Sequence, residues 1–405
     1  MRLCTNAMGV LAILLVPFVT EGADQNPAET LAALKKAREA VWSELESGWK
    51  PGSAEAEQKK SVEHFCRSFS EIGHRAVDLA KSHPDSPVAI EALAWAHSVA
   101  TEDDPDLASV IYDLLTERYL DSDAILPICR LAWLDAVKGP HTEAFLRAAV
   151  ERSKNVKVRS LCCYSLARHQ QELASAVRAL NDPVRGKILG RNFERLGPAA
   201  NQRLRALDPN KLEREAEEYF DRTIKEFGDL QPMGKDFTPL GEQAKGMLFQ
   251  MHHLGIGRTA PEIEGEDIDG KPMKLSDFRG KVVMVSFWAT WCGPCMGLVP
   301  HEKDLLEKMK GRPFALIGVN GDEDRERAKS VSAKEGIRWR SFWSGGPRQG
   351  IPVQWGVSGW PTVYVIDGNG VIRDDGIIYF YELYQNKTPN KTIESLVAEA
   401  EKSSK

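Results

Sequence analysis

Two textures follow one another along the chain. From about residue 27 to 254, apolar side chains recur at three- and four-residue steps, as at Leu31, Leu34, Ala37, Val41 and Leu45. That period puts one apolar stripe on a helix. Stretches of the same kind run over residues 64–81, 88–100, 107–119, 125–137, 143–152, 158–169, 211–227 and 241–253. Proline, glycine, aspartate and serine separate them, as in His83-Pro84-Asp85-Ser86-Pro87 and Lys138-Gly139-Pro140, which are stop and start signals for helices. The stretch 181–210 is polar and broken by Pro183, Gly186, Gly190 and Gly197. After Pro261 the pattern changes. Residues 262–267 read as a short strand, with a hairpin turn at Asp269-Gly270. Val282 begins an apolar run to Ala289 that reads as a buried strand. A helix over 292–310, a strand over 313–319 and a helix over 324–336 follow, then a hairpin of 362–367 and 371–374 across Gly368-Asn369-Gly370. Alternating strands and helices predict an α/β domain with one core.

The helical part carries a weak repeat. Leu93-Ala94, Leu131-Ala132 and Leu166-Ala167 stand 38 and 35 residues apart, and Asp85-Ser86 and Asp121-Ser122 precede the first two at a separation of 36. Such spacing suits stacked helical hairpins of tetratricopeptide type, although the aromatic and glycine signature of that repeat is incomplete. An irregular helical bundle is the alternative.

The first residues form a third segment. Arg2 precedes a short apolar core over 7–19, and Thr20 and Gly22 place small residues before Ala23. This is the layout of a cleavable export signal over residues 1–22. The apolar run is short for a membrane span, and an uncleaved signal anchor is the alternative. At 405 residues the chain exceeds one ordinary core. With 42% hydrophobic and 27% charged residues and a net charge of −5, it is globular and has no basic block, so nucleic acid is not an expected partner. No second CxxC and no HExxH occurs, so neither metal nor cofactor is implied. Cys66, Cys129, Cys162 and Cys163 sit within helical apolar patterns and read as small buried hydrophobes. An exported compartment would also permit a structural disulfide among them. Asn386-Lys387-Thr388 and Asn390-Lys391-Thr392 match the glycosylation triplet, which occurs often by chance.

The chemistry is concentrated where the apolar run ends, in Trp291-Cys292-Gly293-Pro294-Cys295. The two cysteines fall where a helix begins. A helix N-terminus carries partial positive charge and unpaired N–H groups, which favour a thiolate. Two cysteines two residues apart can close a small exchangeable ring, so the motif names thiol–disulfide exchange.

Around it, residues 259–376 resemble the thioredoxin superfamily, in its exported TlpA/ResA-like branch, a relative of the AhpC/TSA proteins. The resemblance rests on Phe287 to Cys295, on Pro300 five residues after Cys295, on Gly359-Trp360-Pro361-Thr362, and on Ala260-Pro261 with Leu275 to Phe278 and Gly280-Lys281. It implies a thioredoxin fold over residues 257–405, behind an α-helical repeat-like region over 23–256. It implies that Cys292 is the attacking nucleophile and Cys295 the resolving thiol. Pro361 would be a cis-proline that leaves the Trp360 backbone free for a substrate strand. Trp291 and Trp360 would border the substrate.

The chain departs from that pattern at two places. Ser286 stands where thioredoxin has a buried aspartate, and Leu298 stands where the branch often has a glutamate. Glu323, in Asn320-Gly321-Asp322-Glu323-Asp324, is the candidate acid/base that remains, although an acidic helix start explains it equally well. His301 lies beyond one turn from Cys295 and reads as a surface residue. Trp339, Phe342, Trp343 and Trp355 read as core and rim packing.

The expected function is therefore an exported oxidoreductase acting on protein thiols and disulfides, with Gly-Pro between the cysteines leaning toward reduction. A membrane or exported electron donor would regenerate it. A second reading makes the helical region an adaptor that binds a protein and delivers it to the redox domain. A thiol peroxidase would need Pro-x-x-x-Thr-x-x-Cys, and the chain has Val285 and Ala289 at those places.

Overall fold

The computed structural model describes residues 26–48, 55–99, 104–183, 185–187, 196–235, 237–347, 349–357, 359–384 and 391–403. The expected export signal with Cys4, and Asn386 and Asn390, lie outside them. The chain divides into two compact units. One comprises Met1–Asn181 and Leu189–Gly241, the other Asp182–Ile188 and Glu242–Lys405.

The first unit is helical. Its helices are α1 (Pro27–Gly48), α2 (Glu55–Ser82), α3 (Pro87–Val99), α4 (Pro105–Arg118), α5 (Leu126–Leu131), α6 (His141–Arg152), α7 (Val156–Asn181), α8 (Gly197–Arg205) and α9 (Pro209–Phe227). Prolines open several of them, where the missing N–H costs nothing and the fixed φ suits a first turn. Most of the stripes read from sequence form one core in which Leu93, Leu107, Ile111, Leu115, Phe145 and Leu166 are fully buried, and Leu173, Leu204 and Leu212 belong to a smaller second cluster. Each such side chain contributes about 1.5–3 kcal/mol. A polar cluster is embedded in this unit. Tyr112 donates to Asp135 at 2.7 Å, His97 Nε2 lies 2.9 Å from the same oxygen, and Lys138 pairs with the other at 2.8 Å. Burial opposes the charge on Asp135, but His97 and Lys138 hold its carboxyl well below the usual range.

The register read at the Leu-Ala pairs is not kept. Residues 125–137 are not one helix. A 3₁₀ turn (Asp123–Ile125), the short α5 with a proline in its first turn, and a second 3₁₀ turn (Ala132–Asp135) follow one another. Leu131 is 37% exposed, whereas Leu93 and Leu166 are fully buried. Cys129, Cys162 and Cys163 are buried thiols and Cys66 is half-buried. Burial pushes the Cys162 and Cys163 thiols up, which makes them inert. No helix among the described residues is long and apolar enough to cross a membrane.

Helix α10 (Leu240–His253) belongs to the helical texture in sequence but lies mostly in the second unit, where Phe249 and Leu254 join the sheet's core. A hairpin of β1 (Glu264–Glu266) and β2 (Pro272–Lys274) follows, turning at Gly270 with φ of 83°. A five-stranded sheet comes next: β3 (Val282–Trp288), β4 (Phe314–Asn320), β5 (Ser341–Trp343), β6 (Thr362–Ile366) and β7 (Ile372–Asp374). The strand order is β5-β4-β3-β6-β7. β3 runs parallel to β4 and antiparallel to β6. Every residue of β3 is buried, as an apolar run in a central strand covered on both faces requires. The parallel β3–β4 link is a crossover made by α11 (Gly293–Lys308). The remaining helices are α12 (Arg325–Glu335), α13 (Ile351–Gln354), α14 (Ile377–Tyr384) and α15 (Lys391–Ser403).

Alternation along β3 sorts the core into two layers. Val282, Met284 and Trp288 pack on the side of Cys295, Val299, Tyr379 and Ile393. Val283, Val285 and Phe287 pack on the other side with Ile263, Leu275 and Trp355. Trp339, Phe342 and Trp355 are core residues, as read from sequence.

Gly318 on β4 faces Ser286 across the ladder, and Ser341 pairs with it on the opposite side. A Cβ there would collide with Ser341 Oγ and Trp288 Nε1, which bond to each other at 3.2 Å. Gly318→Ala is expected to destabilise the sheet by about 1–3 kcal/mol through overpacking. A lower urea midpoint for the full chain measures it; an unchanged midpoint would refute the packing argument.

Candidate active site

The site begins where β3 ends. Trp288 closes the strand, and a tight link through Ala289 and Thr290 carries the chain to α11. Cys292 is the N-cap of that helix, with extended backbone (φ −87°, ψ 96°), and its Sγ accepts the N–H of Cys295 at 3.1 Å. A sulfur thus fills the place that Ser or Asp usually takes. Pro294 occupies the first turn, where its missing N–H leaves no bond unmade. Cys292 and Cys295 are joined in a disulfide, their Cα atoms 5.3 Å apart. Cys292 is 5% exposed and Cys295 2%, so both residues are buried. Pro300 lies inside α11 and leaves the Met296 carbonyl without its helical donor.

Two segments converge on this helix start. The Trp360–Pro361 peptide is cis, as the sequence led one to expect. Trp360 is half-buried and stacks edge-on against Trp291, centroids 5.6 Å apart. Trp291 itself is 49% exposed. Trp360 also lies over Gly321, where any Cβ would strike its ring. The requirement for glycine at 321 was not visible in the sequence.

The loop after β4 forms the second segment. Gly321 N–H donates to Trp288 O at 2.9 Å. Buried Asp322 accepts the Thr290 N–H at 3.0 Å, the Thr290 hydroxyl at 2.7 Å and the Asn320 amide at 2.7 Å. The acidic residue that reaches the motif is therefore Asp322. Glu323, the sequence candidate, is exposed, because the turn that points Asp322 inward sends its neighbour outward. Asp324 accepts Glu326 and Arg327 N–H groups as the N-cap of α12. His301 is exposed.

A carboxylate that sequence reading missed lies deeper. Glu302 on α11 is 3% exposed and accepts the Ser286 hydroxyl at 2.7 Å. Its burial pushes the carboxyl from 4.5 up to about 7, against the smaller opposite effect of Ser286. Tyr379 faces it from α14, and burial and the Glu302 charge raise that phenol well above its usual range. The signal was periodicity: Cys295, Leu298, Val299, Glu302 and Leu305 mark one buried stripe, so a charged residue at 302 is inside.

The AhpC/TSA family model matches residues 256–375. The thiol-disulfide oxidoreductase ResA of Bacillus anthracis is 30% identical over 128 residues, covering 32% of this chain and 73% of that protein. The chain belongs to the ResA-like thiol-disulfide oxidoreductases. The thioredoxin-like protein YneN of Bacillus subtilis is 32% identical over 128 residues, 31% of this chain and 75% of that one. Among solved structures, the thioredoxin domain of a thiol-disulfide oxidoreductase from Bacteroides vulgatus is 26% identical, covering 32% of this chain and 97% of that domain at a TM-score of 0.29. The family match of residues 256–375 leaves the helical region outside it.

Burial makes an ionised Glu302 an energetic cost to the fold. Its carboxyl holds a proton more tightly folded than unfolded. Stability tied to that proton is present below pH 4.5 and is lost as pH rises through about 7. Glu302→Gln keeps the shape and removes the penalty. Relative to the unsubstituted chain, its stability is expected to grow across that window, by up to about 3 kcal/mol. Urea unfolding at acid and alkaline pH measures the difference. A gap that stays constant with pH would contradict a raised Glu302 pKa.

Proposed function

We propose that the protein is an exported reductase of protein disulfides that works through Cys292 and Cys295. The observation that carries this reading is the Cys295 N–H aimed at the Cys292 sulfur at a helix start, an arrangement that favours a thiolate at Cys292. The Cys292 thiolate attacks one sulfur of a substrate disulfide and releases the other as a thiolate. Cys295 then attacks Cys292 Sγ. The Cys292–substrate bond breaks, the Cys292–Cys295 bond forms, and the substrate leaves with both its sulfurs reduced. Two electrons pass from the dithiol to the substrate. Trp291 and Trp360 border the approach, and the cis bond before Pro361 presents the Trp360 backbone to an extended segment. Ring contact between the two tryptophans favours substrates that reach the sulfur by an exposed strand rather than a bulky loop.

The Gly-Pro pair between the cysteines supports reduction as the direction. The apolar segment over 7–19 with small residues at Thr20 and Gly22 supports export. Restoring the dithiol in such a compartment calls for a dithiol electron donor, at the membrane or exported with it.

Replacing Cys295 with serine is expected to accumulate mixed disulfides between Cys292 and substrate proteins, seen as reductant-sensitive bands in the exported fraction. The Cys292→Ser, Cys295→Ser double variant should trap none. Equal trapping by both variants would assign the nucleophile elsewhere.

A second reading concerns the helical unit, and a cleft of about 520 Å³ favours it. Glu143, Arg147, Arg203, Lys211, Glu215 and Glu218 line it. Charges of both signs suit a polar segment of a partner protein. Reversing Arg203 and Lys211 to glutamate is expected to slow reduction of the trapped proteins and to leave a small disulfide substrate unaffected. Equal rates on both would remove the adaptor role from this cleft.

A further inference from the structure

We propose that Glu302 is the proton acceptor for Cys295 when the mixed disulfide is resolved, and that Ser286 holds its carboxylate in position for this. The inference rests on the Cys292/Cys295 reading and adds the group that makes its second step feasible. Cys295 must lose a proton to become a nucleophile, yet it is 2% exposed. Bulk water and buffer have little access to it. A base inside the domain is required.

The described residues offer few. Ser286 and Leu298 cannot take a proton at neutral pH. Asp322 is committed to three donors from Thr290 and Asn320. Asp374 is buried but accepts the Ile378 and Tyr379 N–H groups at the start of α14. Glu323 is exposed.

Glu302 differs in both place and partner. It stands seven residues after Cys295, two turns along α11 and on the same buried face. Side chains on a helix lean toward its N-terminus, so the Glu302 carboxyl leans back toward Cys295. Ser286 meets it at 2.7 Å from β3. Alternation puts Ser286 between Met284 and Trp288 on the layer that contains Cys292 and Cys295. The carboxyl is thus held between helix and strand on the cysteine side of the sheet. Ser286 on β3 bonds to it, the Tyr379 phenol on α14 feels its charge, and Cys295 shares its buried helix face; α15 contributes the apolar Ile393, Leu396 and Val397 to the cysteine layer. Burial leaves the carboxyl poised to accept and release a proton near neutral pH.

The step balances. The Cys295 S–H proton passes to the Glu302 carboxylate, the Cys295 sulfur forms its bond to Cys292 Sγ, and the substrate sulfur departs as a thiolate. The proton on Glu302 returns to Cys295 when a dithiol donor reduces the disulfide.

The test uses the full chain. Reduced protein in excess is mixed with a chromogenic aromatic disulfide. The first thiol released reports attack by Cys292, and the second reports resolution by Cys295. In the unsubstituted protein the second phase is expected to rise through an inflection near pH 7. In Glu302→Gln the first phase stays within about twofold. The second slows on the order of 100-fold at neutral pH, loses the inflection, and recovers only as alkali ionises Cys295 directly. Ser286→Ala removes the bond that favours the charged carboxylate, so its inflection moves to higher pH. A second phase in Glu302→Gln with the original rate and inflection overturns the proposal. So does an unmoved inflection in Ser286→Ala, which decides the matter even where the Glu302→Gln variant fails to fold. A first phase that survives in Cys292→Ser overturns instead the nucleophile assignment beneath it.

Discussion

The bond from the Cys295 N–H to the Cys292 sulfur is the constraint around which the redox domain is arranged. It makes a cysteine the cap of a helix, so the same electrostatics that ends a helix also lowers the cost of a thiolate. Everything nearby holds that sulfur at the helix start. The buried strand β3 delivers the chain to one point. The β4 loop ties Thr290 down through Asp322, and Gly321 N–H bonds back to Trp288 O. Trp360 lies over Gly321 and against Trp291. A sulfur placed by so many independent contacts can meet substrate without the helix start fraying.

Sequence reading recovers β3, β4, β6, β7, α11 and α12 because they are apolar or periodic runs bounded by glycine and proline, but it misses the three-residue β5 and the helices α13, α14 and α15. The helix read over 324–336 is observed as Arg325–Glu335, with Asp324 as N-cap and Gly336 in a left-handed conformation as C-cap. Caps are local chemistry and so can be read locally. The helical unit is less legible. Its periods locate most of the helices, but not α8 in the polar stretch, nor that residues 125–137 break into short turns, nor that α7 runs on to Asn181. These depend on which side chains find neighbours, since Leu173 is buried and Leu131 is left exposed, and that is settled in three dimensions.

At the site the division is similar. The two cysteines, the cis-proline and both tryptophans are legible because each belongs to a compact motif. The carboxylates are not. Adjacent acidic residues look alike in sequence, so nothing local separates Glu323 from Asp322, and only the turn after β4 decides which points inward. Glu302 is hidden for another reason: the family pattern places its carboxylates at the positions of Ser286 and Leu298, away from it. The helical stripe through Cys295, Val299 and Glu302 marks it as internal all the same.

A buried acid with a raised pKa weakens the fold at every pH where it is ionised, and a leucine or methionine on that stripe would pack without this cost. Ser286 makes the choice more specific. A serine in the middle of a strand whose other residues are apolar or aromatic weakens the apolar layer too, and its hydroxyl is committed to Glu302. Two unfavourable residues, on different elements, are thus matched to each other and placed in the layer of Cys295. Stability alone would remove both. Their pairing makes sense as the support of a proton that must move within a closed interior, which is the one requirement that the outer end of the site, with its helix-capping Cys292, does not meet.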